Sequence, residues 1–237
     1  MLRIERVAGP DLHPHIPALA RLRQTVFRDW PYLYKGSAAH EQDYLHVYAN
    51  SPRAALVVAW DGVVPVGLAT CLPLQDETPN IVAPFHAAGL DPAAWCYFGE
   101  SVLLPPYRGQ GAGVAFFQAR EAHARAIDLR HAAFCAVVRP PDHPSRPSDG
   151  RPLDGFWRNR GYHLRPDLTC TMRWPELGDM QDTAHTMQFW TKDLGASLSS
   201  VWACCTTPSP GSPAWTTTRL SWTVWWPRVP RAAAPCS

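Results

Sequence analysis

Apolar residues in the first part of the chain switch between the two-residue period of a strand and the spacing of a helix. Residues 2–8 are predicted to form a strand, and residues 15–30 repeat apolar side chains at helical intervals. Residues 37–50 are predicted to form a second helix, for which Ser37 is a suitable N-cap. The chain is therefore expected to begin with a strand followed by two helices.

The longest apolar run, residues 54–74, is interrupted in its middle by Asp61-Gly62. An Asp-Gly pair between two β-branched runs is typical of a tight hairpin turn, so strands are predicted at 54–60 and 63–72 rather than a membrane span. The N-terminal sequence contains no apolar stretch of signal-peptide length. We therefore expect a cytoplasmic protein that does not bind a membrane.

The next part of the chain predicts a strand–helix–strand unit whose helix crosses over one face of a sheet. Residues 95–104 and 131–140 are the predicted strands, and residues 112–129 form the helix between them. Small side chains repeat every three or four residues along this helix and are expected to form the face that packs on the sheet. These residues are Ala115, Ala119, Ala122, Ala126 and Leu129.

The remaining elements follow a proline-rich loop at residues 140–152. A short helix is predicted after this loop and ends at Gly161, because glycine is well suited to the end of a helix. Two further strands are predicted near 164–174 and 185–193. The order of the elements indicates a mixed α/β sheet.

The composition of the chain changes after about Leu194. Residues 195–237 are rich in Pro, Thr, Ser and Trp, contain no Asp or Glu, and show neither strand nor helix periodicity. Their aromatic residues lack a spacing that would place them on one face, so we favour a disordered tail without a role over an aromatic interaction segment. The predicted organisation is one domain over residues 1–194 followed by this tail.

Charge and cysteine content exclude several classes of protein. The net charge of +2 is too small to indicate a nucleic acid as the main partner. The sequence has no Cys-x-x-Cys pair and no Cys/His cluster with zinc spacing, so no metal is expected. Four cysteines lie far apart in apolar, strand-like settings and are interpreted as buried free thiols: Cys71, Cys96, Cys135 and Cys170.

A glycine-rich stretch separates the predicted strand at 95–104 from the helix at 112–129. It has the sequence LLPPYRGQGAGVAFF and spans residues 103–117. The first N–H groups of a helix lack internal partners and attract anions, and glycine removes the Cβ atoms that would block an anion. The spacing matches neither the dinucleotide motif nor the Walker motif. The stretch predicts a pyrophosphate site, with Arg108 adding positive charge, and the alternative is a tight turn that binds nothing.

The motif Arg108-x-x-Gly111-x-Gly113 resembles the coenzyme A signature of the GNAT N-acetyltransferase superfamily, Gln/Arg-x-x-Gly-x-Gly/Ala. The preceding LLPPYRG and the later FWRNRGYH are also similar to family motifs, and the order of elements is similar over residues 1–194. The resemblance implies a mainly antiparallel central sheet of about seven strands, flanked by about four helices, with one splayed strand pair. It also implies acetyl-CoA as co-substrate.

The resemblance further implies which residues hold coenzyme A. Backbone amides of the glycine-rich turn would bind the pyrophosphate, and strand amides before the turn would pair with the pantetheine arm. The implied residues are Leu103, Leu104, Arg108, Gly109, Gln110, Gly111, Ala112 and Gly113. The thioester would lie in the gap between the strand ending at Leu104 and the strand at 131–139.

Acetyl transfer to an amine requires a base, because removing a proton from a lysine-like amine at pH 7 costs roughly 4–5 kcal/mol. Glu100, in an apolar strand, is the predicted catalytic base, with a purely structural carboxylate as the open alternative. Tyr97 could instead orient a water. Where the family often has a tyrosine acid this sequence has Trp157, which leaves Tyr162 and Tyr107 as candidates for the acid.

The resemblance places the acceptor pocket around the segment between the two early helices. Trp30, Tyr32 and Tyr34 in this segment are predicted to line it, and Asp142 and His143 in the proline-rich loop are predicted to form another wall. Core packing explains the aromatic residues equally well, and a solvated loop explains the charged ones. The acceptor is expected to be a small-molecule or peptide amine, and a homodimer is left open.

The predicted function is transfer of the acetyl group of acetyl-CoA to an amine by direct attack in a ternary complex. The alternative is a non-catalytic module that binds acyl-CoA as a sensor, because Trp157 stands where the family often has its acid.

Overall fold

The computed structural model of the chain describes residues 1–37, 41, 45, 47–148 and 152–195. The predicted tail beyond residue 195 lies outside the described residues. The second predicted helix is described only at residues 41, 45 and 47–50, all of which are helical.

Within the described residues, eight strands and four α-helices have defined bounds. The strands are β1 (Arg3–Ala8), β2 (Ala55–Asp61), β3 (Val64–Pro73), β4 (Trp95–Tyr97), β5 (Ser101–Leu103), β6 (His131–Val137), β7 (His163–Trp174) and β8 (Thr183–Asp193). The helices are α1 (Ile16–Val26), α2 (Pro79–Ala87), α3 (Ala112–Ala126) and α4 (Asp154–Arg158).

The strands form one eight-stranded sheet in the order β1-β2-β3-β4-β6-β8-β7, with β5 paired to β3 outside this path. All pairs are antiparallel except β4 with β6. The parallel pair is joined through α3, which confirms the predicted strand–helix–strand crossover. Gly62 has a φ of +56°, a left-handed conformation that the tight turn between β2 and β3 requires. The predicted α/β class with a mainly antiparallel sheet is confirmed.

The single strand predicted at 95–104 is wrong, because residues 98–100 interrupt it. Phe98 N–H still donates to Ala133 O of β6 at 2.8 Å, whereas Glu100 O accepts from Thr70 N–H of β3 at 3.0 Å. The chain therefore changes its partner strand within three residues. A Cβ on Gly99 would lie 1.9 Å from the Tyr48 hydroxyl, so only glycine fits where the change occurs.

The alanine face predicted for α3 is wrong in part: Leu129 is buried and Ala119 packs against the core, but the other alanines do not form the buried face. The helix instead buries larger side chains, Phe116, Phe117 and Arg120, while Ala122 and Ala126 are exposed. Aromatic side chains remove far more apolar area from water than alanines do, so they decide which face of the helix is buried.

The core lies in layers on opposite faces of the sheet. Trp95 and Tyr97 of β4 pack into the core beneath α1 and α2. Cys96 and Phe98 point to the opposite face and pack with Phe117 of α3. The four predicted buried cysteines are free and buried. Among the described residues, no helix has the length and apolar character needed to cross a bilayer.

Candidate active site

A gap opens in the sheet between β5 and β6. The pairing of β4 with β6 ends at Tyr97 and the bond from Phe98 N–H, and β5 pairs with β3 instead. Leu104 N–H donates to Val66 O of β3 at 3.0 Å. Successive amides of a strand point to opposite edges, so Leu103 N–H points into the gap. Of the two amides predicted to meet the pantetheine arm, the Leu103 amide is directed to the gap and the Leu104 amide is used within the sheet.

The glycine-rich turn leads from β5 into α3. Gly109 and Gly111 have φ values of +77° and +86°, which favour glycine because L side chains rarely adopt them. A Cβ at either position would meet no atom within 4 Å in the described part of the chain. The space in front of the turn is therefore open. Gly113 is inside the helix and has no such conformational need, and a Cβ there would lie 3.4 Å from Phe156 Cζ.

Some of the backbone amides predicted to bind the diphosphate are free to do so, and one is not. The first hydrogen bond of this helix turn runs from Ala115 N–H to Gly111 O at 3.1 Å, so the amides of Ala112 and Gly113 precede it and have no intrahelical acceptor. Arg108 N–H donates to Pro105 O at 3.1 Å and is therefore already satisfied.

Two predicted side chains of the turn bond to the protein itself. Arg108 Nε donates to Leu103 O at 3.1 Å, and Gln110 Nε2 donates to Pro106 O at 3.1 Å. Both residues are exposed, so their side chains can rearrange around an anion. The backbone amides and the open space, rather than these side chains, make the turn suitable for the pyrophosphate of coenzyme A.

A cavity of about 560 Å³ lies beside the gap, on the α1 and α2 side of the sheet. Gly99 and Glu100, in the interruption between β4 and β5, line its inner end. Its wall is mostly aromatic and apolar and includes Phe27, Tyr32, Tyr34, Tyr97, Trp174 and Met187. The glycine-rich turn does not line this cavity, so the open space at the turn and the cavity are separate.

Glu100 is buried at the inner end of the cavity, and both of its carboxylate oxygens have partners within the protein. Its carboxylate forms an ion pair with Arg23 and accepts a hydrogen bond from Thr70 Oγ1 at 2.9 Å. Arg23 Nε also donates to Glu41 Oε2 at 2.7 Å. One guanidinium is thus shared by two buried carboxylates. This arrangement is the one that the structural alternative for Glu100 predicts.

Glu77 is a second carboxylate of the cavity, and sequence reasoning missed it. It is only 9 % exposed, and its Oε2 accepts from Thr78 N–H at 2.9 Å. Its Oε1 is buried from solvent and has no hydrogen-bond partner among the described residues. Burial, followed by the negative charge of Glu100, raises the pKa of Glu77 to about 7 against a weaker lowering by Thr78 and Tyr48. A proton-accepting group is therefore available in the cavity near neutral pH.

No signal in the sequence separates Glu77 from its neighbour Asp76. Both belong to the polar stretch LQDETPN after β3. Asp76 instead turns to Ser51, whose Oγ donates to it at 2.6 Å. Only the packing of this stretch against the sheet places one of the two carboxylates in the cavity.

Tyr162, the predicted acid, does not line the cavity. It is fully buried on the opposite face of the sheet, among Phe98, Phe117 and Phe134. Its hydroxyl donates to Glu121 Oε1 at 3.2 Å, and burial raises its pKa far above the ordinary value. Tyr162 therefore has the environment of a packing residue.

The other candidate tyrosines have different surroundings. The Tyr107 hydroxyl donates to Asp61 Oδ2 at 2.9 Å at the protein surface. Tyr97 lines the cavity, and its hydroxyl lies 3.1 Å from Cys135 Sγ. Burial raises the pKa of Tyr97 well above its ordinary value, so the hydroxyl keeps its proton.

The residues predicted to line the acceptor pocket divide into two groups. Tyr32 and Tyr34 line the cavity. Trp30 and His143 instead contact one another outside it, with ring centroids 5.1 Å apart, and Asp142 is exposed. The structure therefore brings two of the five residues to the cavity and places the other three elsewhere.

Charged contacts hold the segment that carries Tyr32 and Tyr34. Arg139 forms an ion pair with Glu176 and donates to the carbonyls of Pro31 and Tyr32 at 2.7 and 3.0 Å. Trp174 Nε1 also donates to Tyr32 O at 3.0 Å.

The described residues contain no group of three or more His, Cys, Asp or Glu side chains placed to hold a metal ion.

Comparison with known families gives a match over residues 19–147 to the model described as the acetyltransferase (GNAT) family. No curated protein matches the sequence.

Solved structures are similar in fold. An N-acetyltransferase from Staphylococcus aureus has a TM-score of 0.53 at 11 % identity, with 81 % of this chain and 99 % of that chain covered. Ribosomal-protein-alanine N-acetyltransferase from Brucella melitensis has a TM-score of 0.52 at 13 % identity, with 81 % and 99 % covered. A phosphinothricin acetyltransferase from Sinorhizobium meliloti, in complex with AcCoA, has a TM-score of 0.50 at 15 % identity, with 89 % and 94 % covered. At these identities the likeness concerns the fold.

Proposed function

We propose that this chain, which belongs to the acetyltransferase (GNAT) family, transfers the acetyl group of acetyl-CoA to an amine bound in the 560 Å³ cavity. The observation that carries the proposal is the interruption at residues 98–100. It joins a sheet gap and an open glycine turn on one side to a cavity with a buried carboxylate on the other. Acyl transfer requires this meeting of two sites.

The amides of Ala112 and Gly113, with the open space at Gly109 and Gly111, would hold the coenzyme A pyrophosphate. The Leu103 amide would orient the pantetheine arm in the gap. Bound acetyl-CoA would supply an activated acetyl carbonyl and a thiolate leaving group with a reference pKa near 8.5, which needs little help from an acid.

In this proposal Glu77 is the catalytic base. Its carboxylate, on the cavity wall, accepts a proton from the ammonium form of the amine, directly or through one water. A pKa of about 7 suits a base at neutral pH, because the carboxylate is substantially ionised and still binds a proton well. Tyr97, which keeps its own proton, would orient the amine or the water from the same wall.

Glu100 remains the alternative base. Its carboxylate already holds the ion pair with Arg23 and the hydrogen bond from Thr70, so it is less free than Glu77 to contact an amine. Trp157, at the family's acid position, packs against Phe134 and Trp190 on the opposite face of the sheet. We therefore assign no protein group as an essential acid.

The experiment measures release of free thiol from acetyl-CoA with a panel of amines, alongside calorimetry with coenzyme A and NAD. We expect coenzyme A and acetyl-CoA to bind, NAD not to bind, and thiol release to depend on an amine. Binding of acetyl-CoA without turnover on any amine, and without an effect of Glu77→Gln, would instead support the sensor.

A further inference from the structure

The cavity has a continuous aromatic wall. The ring centroids of Phe27 and Tyr32 lie 4.5 Å apart, and those of Tyr32 and Trp174 lie 5.8 Å apart. His185 stacks on Trp174 with a centroid distance of 3.7 Å and so supports that ring. Three neighbouring rings give a surface on which a flat apolar group packs well.

The inner end of the cavity carries a net negative charge. Arg23 faces the cavity, but its charge is shared by Glu41 and Glu100. Glu77 adds a third carboxyl group to the cavity wall. Three carboxyl groups therefore accompany one guanidinium. A positively charged ligand group is attracted to this end, and an anionic group is repelled.

The outer rim does not offset this charge. Arg173 and Asp182 both line the cavity and are exposed, and Arg173 donates to Asp182 O at 2.8 Å. The two side chains carry opposite charges and lie in solvent, where such interactions are screened. The inner end of the cavity therefore determines which ligand charge is favoured.

We infer that the acceptor is a small arylalkylamine, whose ring packs against Phe27, Tyr32 and Trp174 and whose ammonium group approaches the Glu77 carboxyl group. This inference rests on the proposed function and specifies its substrate class. An aromatic amino acid is a poor ligand, because its carboxylate would lie beside the amine at the negatively charged end. A polyamine is also a poor ligand, because it leaves the aromatic wall without an apolar partner.

The first test measures binding to the full chain by calorimetry with coenzyme A present. The probes are 2-phenylethylamine, L-phenylalanine and 1,4-diaminobutane. We expect 2-phenylethylamine to bind at least about 10-fold more tightly than either of the others. Absence of 2-phenylethylamine binding, or tighter binding of either of the other two probes, overturns the inference whatever the turnover.

Turnover tests the proposed function separately. If 2-phenylethylamine binds but no amine is acetylated, the ligand class stands and acetyl transfer fails. If 1,4-diaminobutane or a peptide amine is acetylated while arylalkylamines do not bind, acetyl transfer stands and the ligand class fails.

A variant tests the position of the ammonium group. Glu77→Gln should weaken binding of 2-phenylethylamine by about 10-fold or more and leave its neutral analogue 2-phenylethanol within about 3-fold. Asp167→Asn removes an equal charge from an exposed residue paired with Arg165, outside the cavity, and should change neither. Equal weakening of both ligands by Glu77→Gln would place the ammonium group elsewhere and overturn this part of the inference.

Discussion

Replacing Glu77 by glutamine tests the reasoning most directly, because it changes stability and activity in different ways. The substitution keeps the size of the side chain and removes its ability to ionise. Because burial and Glu100 raise the pKa of Glu77 to about 7, the folded protein binds this proton more tightly than the unfolded chain does. The stability associated with the protonated form is present below the unfolded pKa of 4.5 and is lost as pH rises through about 7.

The size of the effect follows from the two pKa values of Glu77, 4.5 unfolded and about 7 folded. Between about pH 5 and pH 9, ionisation of Glu77 should lower the free energy of unfolding by about 2–3 kcal/mol. The glutamine side chain of the variant carries no such dependence. The stability of Glu77→Gln relative to the original protein should therefore rise by about this amount over the interval.

Urea unfolding at several pH values measures this difference, since other titrating groups largely cancel between the two proteins. Asp167→Asn is the control. Arg165 lowers the pKa of Asp167, so this exposed carboxylate is ionised throughout the interval and its removal should give a flat difference. A flat difference for Glu77→Gln as well would show that Glu77 does not have the buried, raised-pKa state described above.

The same variant tests catalysis. Loss of a general base lowers kcat/KM by about 10²–10⁴-fold. The inflection of kcat/KM near pH 7 should disappear, while the rise governed by the pKa of the amine itself should remain. Activity within about 3-fold of the original, with the inflection retained, would refute Glu77 as the base and return attention to Glu100.

Three further variants test other parts of the site. Gly111→Ala and its control Gly89→Ala each place a Cβ at a left-handed position with open space, so each should lower the free energy of unfolding by about 1–2 kcal/mol. Only Gly111→Ala should also weaken the binding of coenzyme A, by at least about 10-fold in calorimetry. Equal binding by both variants would remove the turn from the coenzyme site. Glu100→Gln leaves the Arg23 guanidinium with one fewer carboxylate and should lower the free energy of unfolding by about 3 kcal/mol in urea, opposite in sign to Glu77→Gln at high pH. Tyr162→Phe should lower stability by about 1 kcal/mol through loss of one hydrogen bond and keep kcat within about 3-fold, whereas a fall of about 100-fold or more would restore the predicted acid role.

Local pattern predicted much of the fold. The hairpin around Asp61-Gly62 and the crossover through α3 depend on residues close in sequence, and the structure contains both. The helix predicted to end at Gly161 ends at Arg158, and Gly161 follows it in a left-handed conformation. The glycine-rich turn is of the same kind, because the left-handed positions at Gly109 and Gly111 are properties of a few consecutive residues.

The local sequence pattern did not predict which strands pair with one another. Residues 95–104 have the composition of one strand, yet the chain moves from β6 to β3 at Gly99, where the Tyr48 hydroxyl leaves no room for a Cβ. The prediction of the buried face of α3 was incorrect for a related reason. Periodicity identified the alanines, but the helix buries Phe116, Phe117 and Arg120 against the sheet.

By itself the sequence determined most of the elements, the glycine turn and the family resemblance, because each of these is encoded in short-range spacing. Only the tertiary structure decided which titratable groups share a cavity. It paired Glu100 with Arg23, left one oxygen of Glu77 without a partner among the described residues, and buried Tyr162 on the far side of the sheet. The pKa and the role of a carboxyl group depend on solvent exposure and on charges that are distant in sequence, and folding alone brings these together.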